Sequence, residues 1–142
     1  MTNPHFTHIR VRGYHLDVYG HVNNARYLEF LEEARWGYFE ENGALAKLME
    51  HDLAFVIVNI NINYRRSALL NETLEIETGI KALNRRNGVV SQVIRLKDDA
   101  TVVSDAEVTF VLYDGKQDKA IAIEGELLAT MKPYLLSGET GS

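Results

Sequence analysis

Phe55-Val56-Ile57-Val58-Asn59-Ile60-Asn61-Ile62-Asn63-Tyr64 alternates with period two. Val56, Val58, Ile60, Ile62 and Tyr64 hold the even positions, and asparagines hold the odd ones from Asn59 onward. Successive side chains of a strand point to opposite faces, so this stretch predicts a strand with one apolar and one polar side. Thr73 to Leu83 repeats the pattern, with Leu74, Ile76, Thr78, Ile80 and Ala82 set against Glu75, Glu77, Gly79 and Lys81. Val89 to Leu96 and Val102 to Tyr113 read as further strands, joined by hairpin-type connections at Asn84-Arg85-Arg86-Asn87-Gly88 and Lys97-Asp98-Asp99-Ala100. Ala120 to Ile123 predicts a short last strand, and Phe6 to Arg12 an opening one.

Between the opening strand and the rest lies one long helical segment, predicted over Asn24 to Asn42. Tyr27, Leu31, Ala34 and Tyr38 recur at helical spacing, with Leu28 and Phe39 beside them and glutamates mostly around the other sides. Asn23 or Asn24 can cap its start, because a side-chain oxygen there accepts from a free first-turn N–H. Asn42-Gly43 is a natural stop, since glycine takes the left-handed conformation beyond a helix end. Short helices are predicted over Ala44 to His51 and Glu124 to Met131, the latter closed by Lys132-Pro133. One long helix against one curled antiparallel sheet is an α+β layer architecture.

Composition narrows the functional classes. The length of 142 residues suits one domain, taken as residues 1–136, with 137–142 as a disordered tail. There is no cysteine, which removes disulfides and thiol nucleophiles. The net charge of −5 argues against a nucleic-acid binder. No apolar run approaches the roughly 20 residues of a membrane span, and the N-terminus lacks a signal-peptide core, so a cytoplasmic protein is expected. The five histidines show no metal-ligand spacing, so neither a metal site nor a cofactor is expected.

Asp17 lies in the polar loop about seven residues ahead of the long helix. First-turn N–H groups lack partners within the helix, and the helix end carries partial positive charge. Such donors can hold the oxyanion of an attacked carbonyl, while a nearby carboxylate attacks the carbon or draws a proton from water. Spacing alone fits equally an aspartate that caps or turns the chain.

The run Asp17-Val18-Tyr19-Gly20-His21-Val22-Asn23-Asn24-Ala25-Arg26-Tyr27-Leu28 resembles the signature of the 4-hydroxybenzoyl-CoA thioesterase-like hotdog family. The flanks from Val11 through Trp36, and Phe55 through Arg66, are similar to a subgroup acting on long-chain acyl-CoA. The likeness continues through Ser91-Gln92-Val93-Ile94 and Glu124-Gly125-Glu126-Leu127, to about Leu128. The resemblance implies a hotdog fold, a curved antiparallel sheet wrapped around the long helix. It implies hydrolysis of fatty acyl-CoA to free acid and CoA. It implies homodimers, usually paired into tetramers, with sites at the dimer interface. Asp17 is then the nucleophile or general base, and the backbone N–H of Asn24 polarises the thioester carbonyl.

Around this core, His21 reads as a supporting residue that stiffens the loop, and Asn23 and Tyr27 as substrate contacts at the helix head. Arg85 and Arg86 resemble the family's contacts to the CoA phosphates, a pairing for which guanidinium suits phosphate oxygens. Arg65 and Arg66 are the weaker candidates for that role. Glu33 is the reserve carboxylate, with a solvated surface glutamate as its plain reading. Two other classes stay open: a non-catalytic acyl-CoA binding protein, and a hotdog dehydratase acting on hydroxyacyl thioesters.

Overall fold

The computed structural model describes residues 4–136; the tail expected over 137–142 lies outside them. The chain runs β1 (His5–Arg10), α1 (Asn24–Glu41), α2 (Ala44–Glu50), β2 (Leu53–Tyr64), β3 (Thr73–Leu83), β4 (Gly88–Leu96), β5 (Val102–Asp114), β6 (Lys119–Ile121) and α3 (Gly125–Met131). All strands are antiparallel in one sheet of order β1-β3-β4-β5-β2, with β6 added beside β5. The hotdog arrangement expected from the sequence is thus present, helix α1 lying on the inner face of the sheet.

Asn23, of the two candidate caps, is the one used: its side chain accepts from the Ala25 N–H at 2.9 Å. The helix ends as expected, with Gly43 at φ 86° turning the chain into α2. Tyr27, Phe30, Leu31, Ala34, Tyr38 and Phe39 are buried along α1. They meet Leu74, Ile76 and Ile80 of β3, Val90 and Ile94 of β4, and Val108, Phe110 and Leu112 of β5 in one core. Burying a large aliphatic or aromatic side chain contributes about 1.5–3 kcal/mol, so this layer dominates the stability.

Two tyrosines fix the helix on the sheet. Tyr27 and Tyr38 are eleven residues apart, close to three turns, and so share a face. The Tyr27 hydroxyl accepts the Ala68 N–H at 3.0 Å, and the Tyr38 hydroxyl accepts the Ile80 N–H at 3.2 Å. Burial pushes the Tyr38 hydroxyl up to about 12, which keeps it neutral in that place.

The face expected for β2 needs correction. Its pairing with β5 shifts between Ile57 and Asn59, a β-bulge at Val58. A bulge inserts one residue and reverses which parity faces inward. Ile60 and Ile62 face the core as predicted, but upstream of the bulge the odd residues Leu53 and Phe55 do so. Val56 and Val58, assigned to the apolar face by alternation, are 40% and 56% exposed, and Ile57 is 37% exposed. These residues lie on the outer strand of the sheet, whose free edge has no neighbour among the described residues.

Candidate active site

Residues 15–23 fold into a small ribbon that delivers the chain to α1. The Asn23 N–H donates to the His15 carbonyl at 2.9 Å, and the Asp17 N–H to the His21 carbonyl at 2.8 Å. Gly20 turns it at φ 77°, a backbone region that side chains rarely adopt. The Asp17 carboxylate is held from inside this turn. Its Oδ1 accepts the Tyr19 N–H at 2.8 Å and the His21 N–H at 3.3 Å. Both recorded bonds use Oδ1, so the carboxyl group is oriented by one oxygen and presents the other.

The ribbon is anchored from beneath. The Val22 N–H donates to the Ala68 carbonyl at 3.0 Å, while Ala68 itself donates to Tyr27. His15 is buried, its Nδ1 accepts the Arg12 N–H at 2.9 Å, and its ring meets Phe30 edge-on at 5.0 Å. Burial first, then the positive charge of Arg26, lowers the pKa of His15 and favours the neutral ring that accepts this bond. The sequence reading did not single out His15, whose burial depends on Phe30 packing against it across space.

The other predicted site residues divide. Asn24 opens α1, so its N–H is one of the first-turn donors that helical geometry leaves unpaired. The Ala25 N–H beside it is already taken by Asn23, which spends that side-chain oxygen on capping. His21 serves Asp17 through its backbone N–H, with its residue exposed. Tyr27 is only 3% exposed, so within the chain it braces the site and offers no open surface. Glu33 is exposed two turns and more into α1, roughly 13 Å of helix beyond Asn24.

The arginines fall at opposite ends. Arg85 and Arg86 are exposed in the β3–β4 connection, with Arg85 paired to Glu124 at 3.3 Å. The ribbon holding Asp17 follows β1, whose last residue Arg10 pairs with Thr73 at the far end of β3. Ten residues of strand therefore separate Asp17's end from Arg85's, on the order of 30 Å. Arg65 and Arg66 lie at Asp17's end, but each has a carboxylate partner: Asp105 at 2.7 Å and Glu72 at 3.1 Å. The structure thus bonds Asp17 to His21 within the ribbon that leads to Asn24, and leaves Arg85 and Arg86 at the other end of β3.

One cluster could suggest a cation. Glu50, His51 and Glu126 offer ligand atoms within 4.8 Å of one another, all exposed. Lys47 already bonds Glu126 at 2.8 Å and His51 bonds it at 2.9 Å, so the group reads as a surface ion-pair network joining α2 to α3. No helix among the described residues is long and apolar enough to cross a membrane.

Residues 11–131 match the thioesterase-like superfamily. The long-chain acyl-CoA thioesterase FadM of Escherichia coli K12 is 57% identical over 121 residues, covering 85% of this chain and 92% of that protein. The acyl-CoA thioesterase YbgC of Haemophilus influenzae is 31% identical over 123 residues, covering 85% and 89%. Among solved structures, the probable thioesterase YbaW of Escherichia coli superposes with a TM-score of 0.87 at 52% identity, covering 93% of this chain and 99% of that one. With residues 11–131 matched and its hotdog sheet in place, this chain belongs to the thioesterase-like superfamily.

Proposed function

We propose that the protein hydrolyses long-chain acyl-CoA thioesters to free acid and CoA. The 57% identity to a long-chain acyl-CoA thioesterase supports the substrate class. The observation that carries the chemistry is the Asp17 carboxylate, oriented by two backbone N–H groups in the ribbon that leads into the head of α1.

In this reading the thioester carbonyl oxygen sits at the Asn24 N–H, where developing negative charge meets a fixed donor and the positive end of the helix. Asp17 then acts in one of two ways. As general base it takes a proton from water, whose oxygen attacks the carbonyl carbon while the C–S bond breaks and CoA leaves as a thiol after accepting a proton. As nucleophile it forms an acyl anhydride and expels CoA, and water then cleaves the anhydride to two carboxylates. Single-turnover hydrolysis in ¹⁸O water detects the anhydride when water attacks the Asp17 carboxyl carbon, since label then enters Asp17. Label confined to the product fits the general-base route and equally attack at the acyl carbon of the anhydride, which rapid trapping of the anhydride with hydroxylamine distinguishes.

The protein works in this reading as a cytoplasmic homo-oligomer of one-domain subunits, with the free edges of β2 paired across a two-fold axis. The exposed Val56, Ile57 and Val58 on that edge support it, because unpaired apolar edges invite pairing. Antiparallel pairing also turns the partner's Arg85 and Arg86 toward the end where Asp17 lies, which fits a role on the CoA phosphates. The remoteness of the chain's own pair is then no obstacle.

The test is Asp17→Asn, assayed by thiol release across acyl-CoA chain lengths. Asparagine keeps the shape and the loop bonds but cannot attack or accept the proton. A loss in kcat of about 10²-fold or more is expected with substrate binding retained. Near-normal turnover in a stably folded variant refutes the assignment and moves attention to Glu33. Tight acyl-CoA binding with no turnover by the wild type would instead identify a binding protein.

A further inference from the structure

His15 sits where three parts of the chain meet, and it is only 8% exposed. It closes the single 3₁₀ turn Gly13–His15 that follows β1. Two bonds lock it to Arg12. The His15 N–H donates to the Arg12 carbonyl at 3.0 Å, and the ring Nδ1 accepts the Arg12 N–H at 2.9 Å. Arg12 in turn follows Val11, which is fully buried and bonded twice to the segment ahead of β3. The Val11 N–H donates to the Glu72 carbonyl and its carbonyl accepts the Asn71 N–H, each at 2.9 Å. His15 is therefore tied through Arg12 and Val11 to the sheet.

It is tied to the helix as well. The His15 carbonyl accepts the Asn23 N–H at 2.9 Å, the neighbouring Tyr14 carbonyl accepts from the Arg26 guanidinium at 3.2 Å, and the His15 ring meets Phe30 edge-on at 5.0 Å. Asp17 follows two residues after His15, and Asn24 follows one residue after Asn23. The bond between His15 and Asn23 is thus a rung of the ribbon next to both proposed reacting groups, the carboxylate and the first-turn donor. Without the ring bond to Arg12, the strand bearing Asp17 is free to tilt against the helix head. Nδ1 can accept the Arg12 N–H only in a neutral ring whose proton sits on Nε2. A protonated ring would turn a donor toward a donor, beside the charges of Arg12 and Arg26 and the edge of Tyr14, with Glu29 of α1 as the opposing charge.

The geometry points to His15 as the positioning residue of the site: its neutral ring, bonded to Arg12, holds the strand that bears Asp17 at a fixed distance and angle from the Asn24 N–H. The inference rests on the thioesterase reading above and adds the side chain that sets its two reacting groups against each other. His15 itself touches no substrate. A misplacement of about 1 Å can cost up to about 10²-fold in rate, so a buried residue outside the chemistry can carry a large share of kcat.

Two variants of the full chain test it. His15→Phe keeps a ring against Phe30 and removes the acceptor. His15→Asn places Oδ1 where Nδ1 stands, restores the acceptor and cannot take a proton. Acyl-CoA hydrolysis is measured at a temperature where each variant is fully folded by circular dichroism, so that a loss of stability alone leaves kcat unchanged. His15→Phe should lower kcat by about 10-fold or more with KM changed by less than about twofold, and His15→Asn should recover most of the loss. In the wild type kcat should begin to fall as pH drops below about 6.5 toward the lowered folded pKa of His15, whereas in His15→Asn the plateau should extend to lower pH, until Asp17 itself takes a proton. A folded His15→Phe with wild-type kcat overturns the inference, as does an equal loss in the two variants. If His15→Phe does not fold, coincident acid limbs in wild type and His15→Asn overturn it. If neither variant folds, a wild-type kcat that stays level from about pH 7 to 5 overturns it. A wild type that hydrolyses no acyl-CoA refutes the thioesterase reading itself, whereas hydrolysis with kcat indifferent to both substitutions refutes only the positioning role.

Discussion

Gln92 is fully buried on β4 beneath the middle of α1, and its replacement by leucine is a sharp test of how the helix is held. The amide is satisfied on both sides. Its nitrogen donates to the Leu31 carbonyl at 3.0 Å and to the Thr78 hydroxyl at 3.1 Å, and its oxygen accepts from the Arg35 guanidinium at 3.0 Å. Burial lowers the pKa of Arg35, against the opposing pull of Glu32, as for a cation that has lost water. In Gln92→Leu the Thr78 hydroxyl can rotate and the Leu31 carbonyl keeps its place in the helix, so those losses are small. The guanidinium is the main casualty, because a hydrogen bond to a charged group contributes about 1.5–3 kcal/mol. Leucine recovers part of this by apolar burial, leaving an expected net cost of about 2 kcal/mol. At roughly 2–4 °C per kcal/mol for a chain near this size, Tm should fall by about 4–8 °C. Arg35→Met alone should cost a similar amount by orphaning the buried amide oxygen. The double variant removes both partners and should lie at least about 1 kcal/mol above the sum of the single effects, measured by urea unfolding. Additivity within about 0.5 kcal/mol would show that Arg35 does not depend on Gln92, and the reasoning would fail.

Tyr27→Phe should cost about 1–3 kcal/mol, because the buried Ala68 N–H loses its acceptor, and should raise hydrogen exchange at Val22, which bonds the same residue; unchanged exchange and Tm would rule out that brace. His15 has a folded pKa below its ordinary value of about 6.5, so the unfolded chain takes up the proton first as pH falls. Its contribution is complete above that value and is lost as pH falls through it toward the folded pKa; Tm should drop between pH 7 and 5, and His15→Gln should flatten that slope. Val58→Lys puts a charge on the free edge of β2 and should shift the protein toward monomer in sedimentation, with thioesterase activity falling in step; a dimer that survives unchanged would place the interface elsewhere.

The helix, the strand boundaries and the ribbon before α1 were legible because each has a local cause. Tyr27, Leu31, Ala34 and Tyr38 announce their face by spacing, Asn42-Gly43 marks a stop, and β3 spans the predicted residues with its alternation kept from Leu74 to Ile80, where a bulge then turns Leu83 and not Ala82 to the core. What could not be read are features decided by a partner across space. Nothing near Val58 signals a bulge, since Phe55 through Ile62 are apolar at nearly every position except the asparagines, and either parity can face inward. The bulge follows from pairing with β5, where Ile57 meets Phe110 and Asn59 meets Thr109. His15 was missed for the same reason: its burial comes from Phe30 and Tyr14, which gather around it only once the ribbon docks. Asp17 was found through family resemblance, since its spacing fits a turn residue as well.

The same bulge lets β2 serve two different neighbours along its length. Below Val58 the strand turns Leu53 and Phe55 toward α1 and α2, and there they close an apolar cavity. Above it, Ile60 and Ile62 face the core, and the Tyr64 hydroxyl reaches the head of α1. One strand thus lines the apolar cavity at its start and reaches the helix head at its end. Its middle, Val56 to Val58, is left apolar and uncovered. In the homo-oligomer proposed above, a two-fold axis through that middle would cover the exposed residues with their own copies. Deleting Val58 would remove the extra residue and leave the register with β5 unbroken, Ile57 opposite Phe110 and Asn59 opposite Thr109, so Leu53, Phe55, Ile60 and Ile62 keep their inward faces in strict alternation. The variant should therefore stay folded with its core intact, while the loss of one exposed apolar residue from the edge should weaken self-association in sedimentation. A variant that unfolds would show that the bulge itself holds the strand, and the argument would fail.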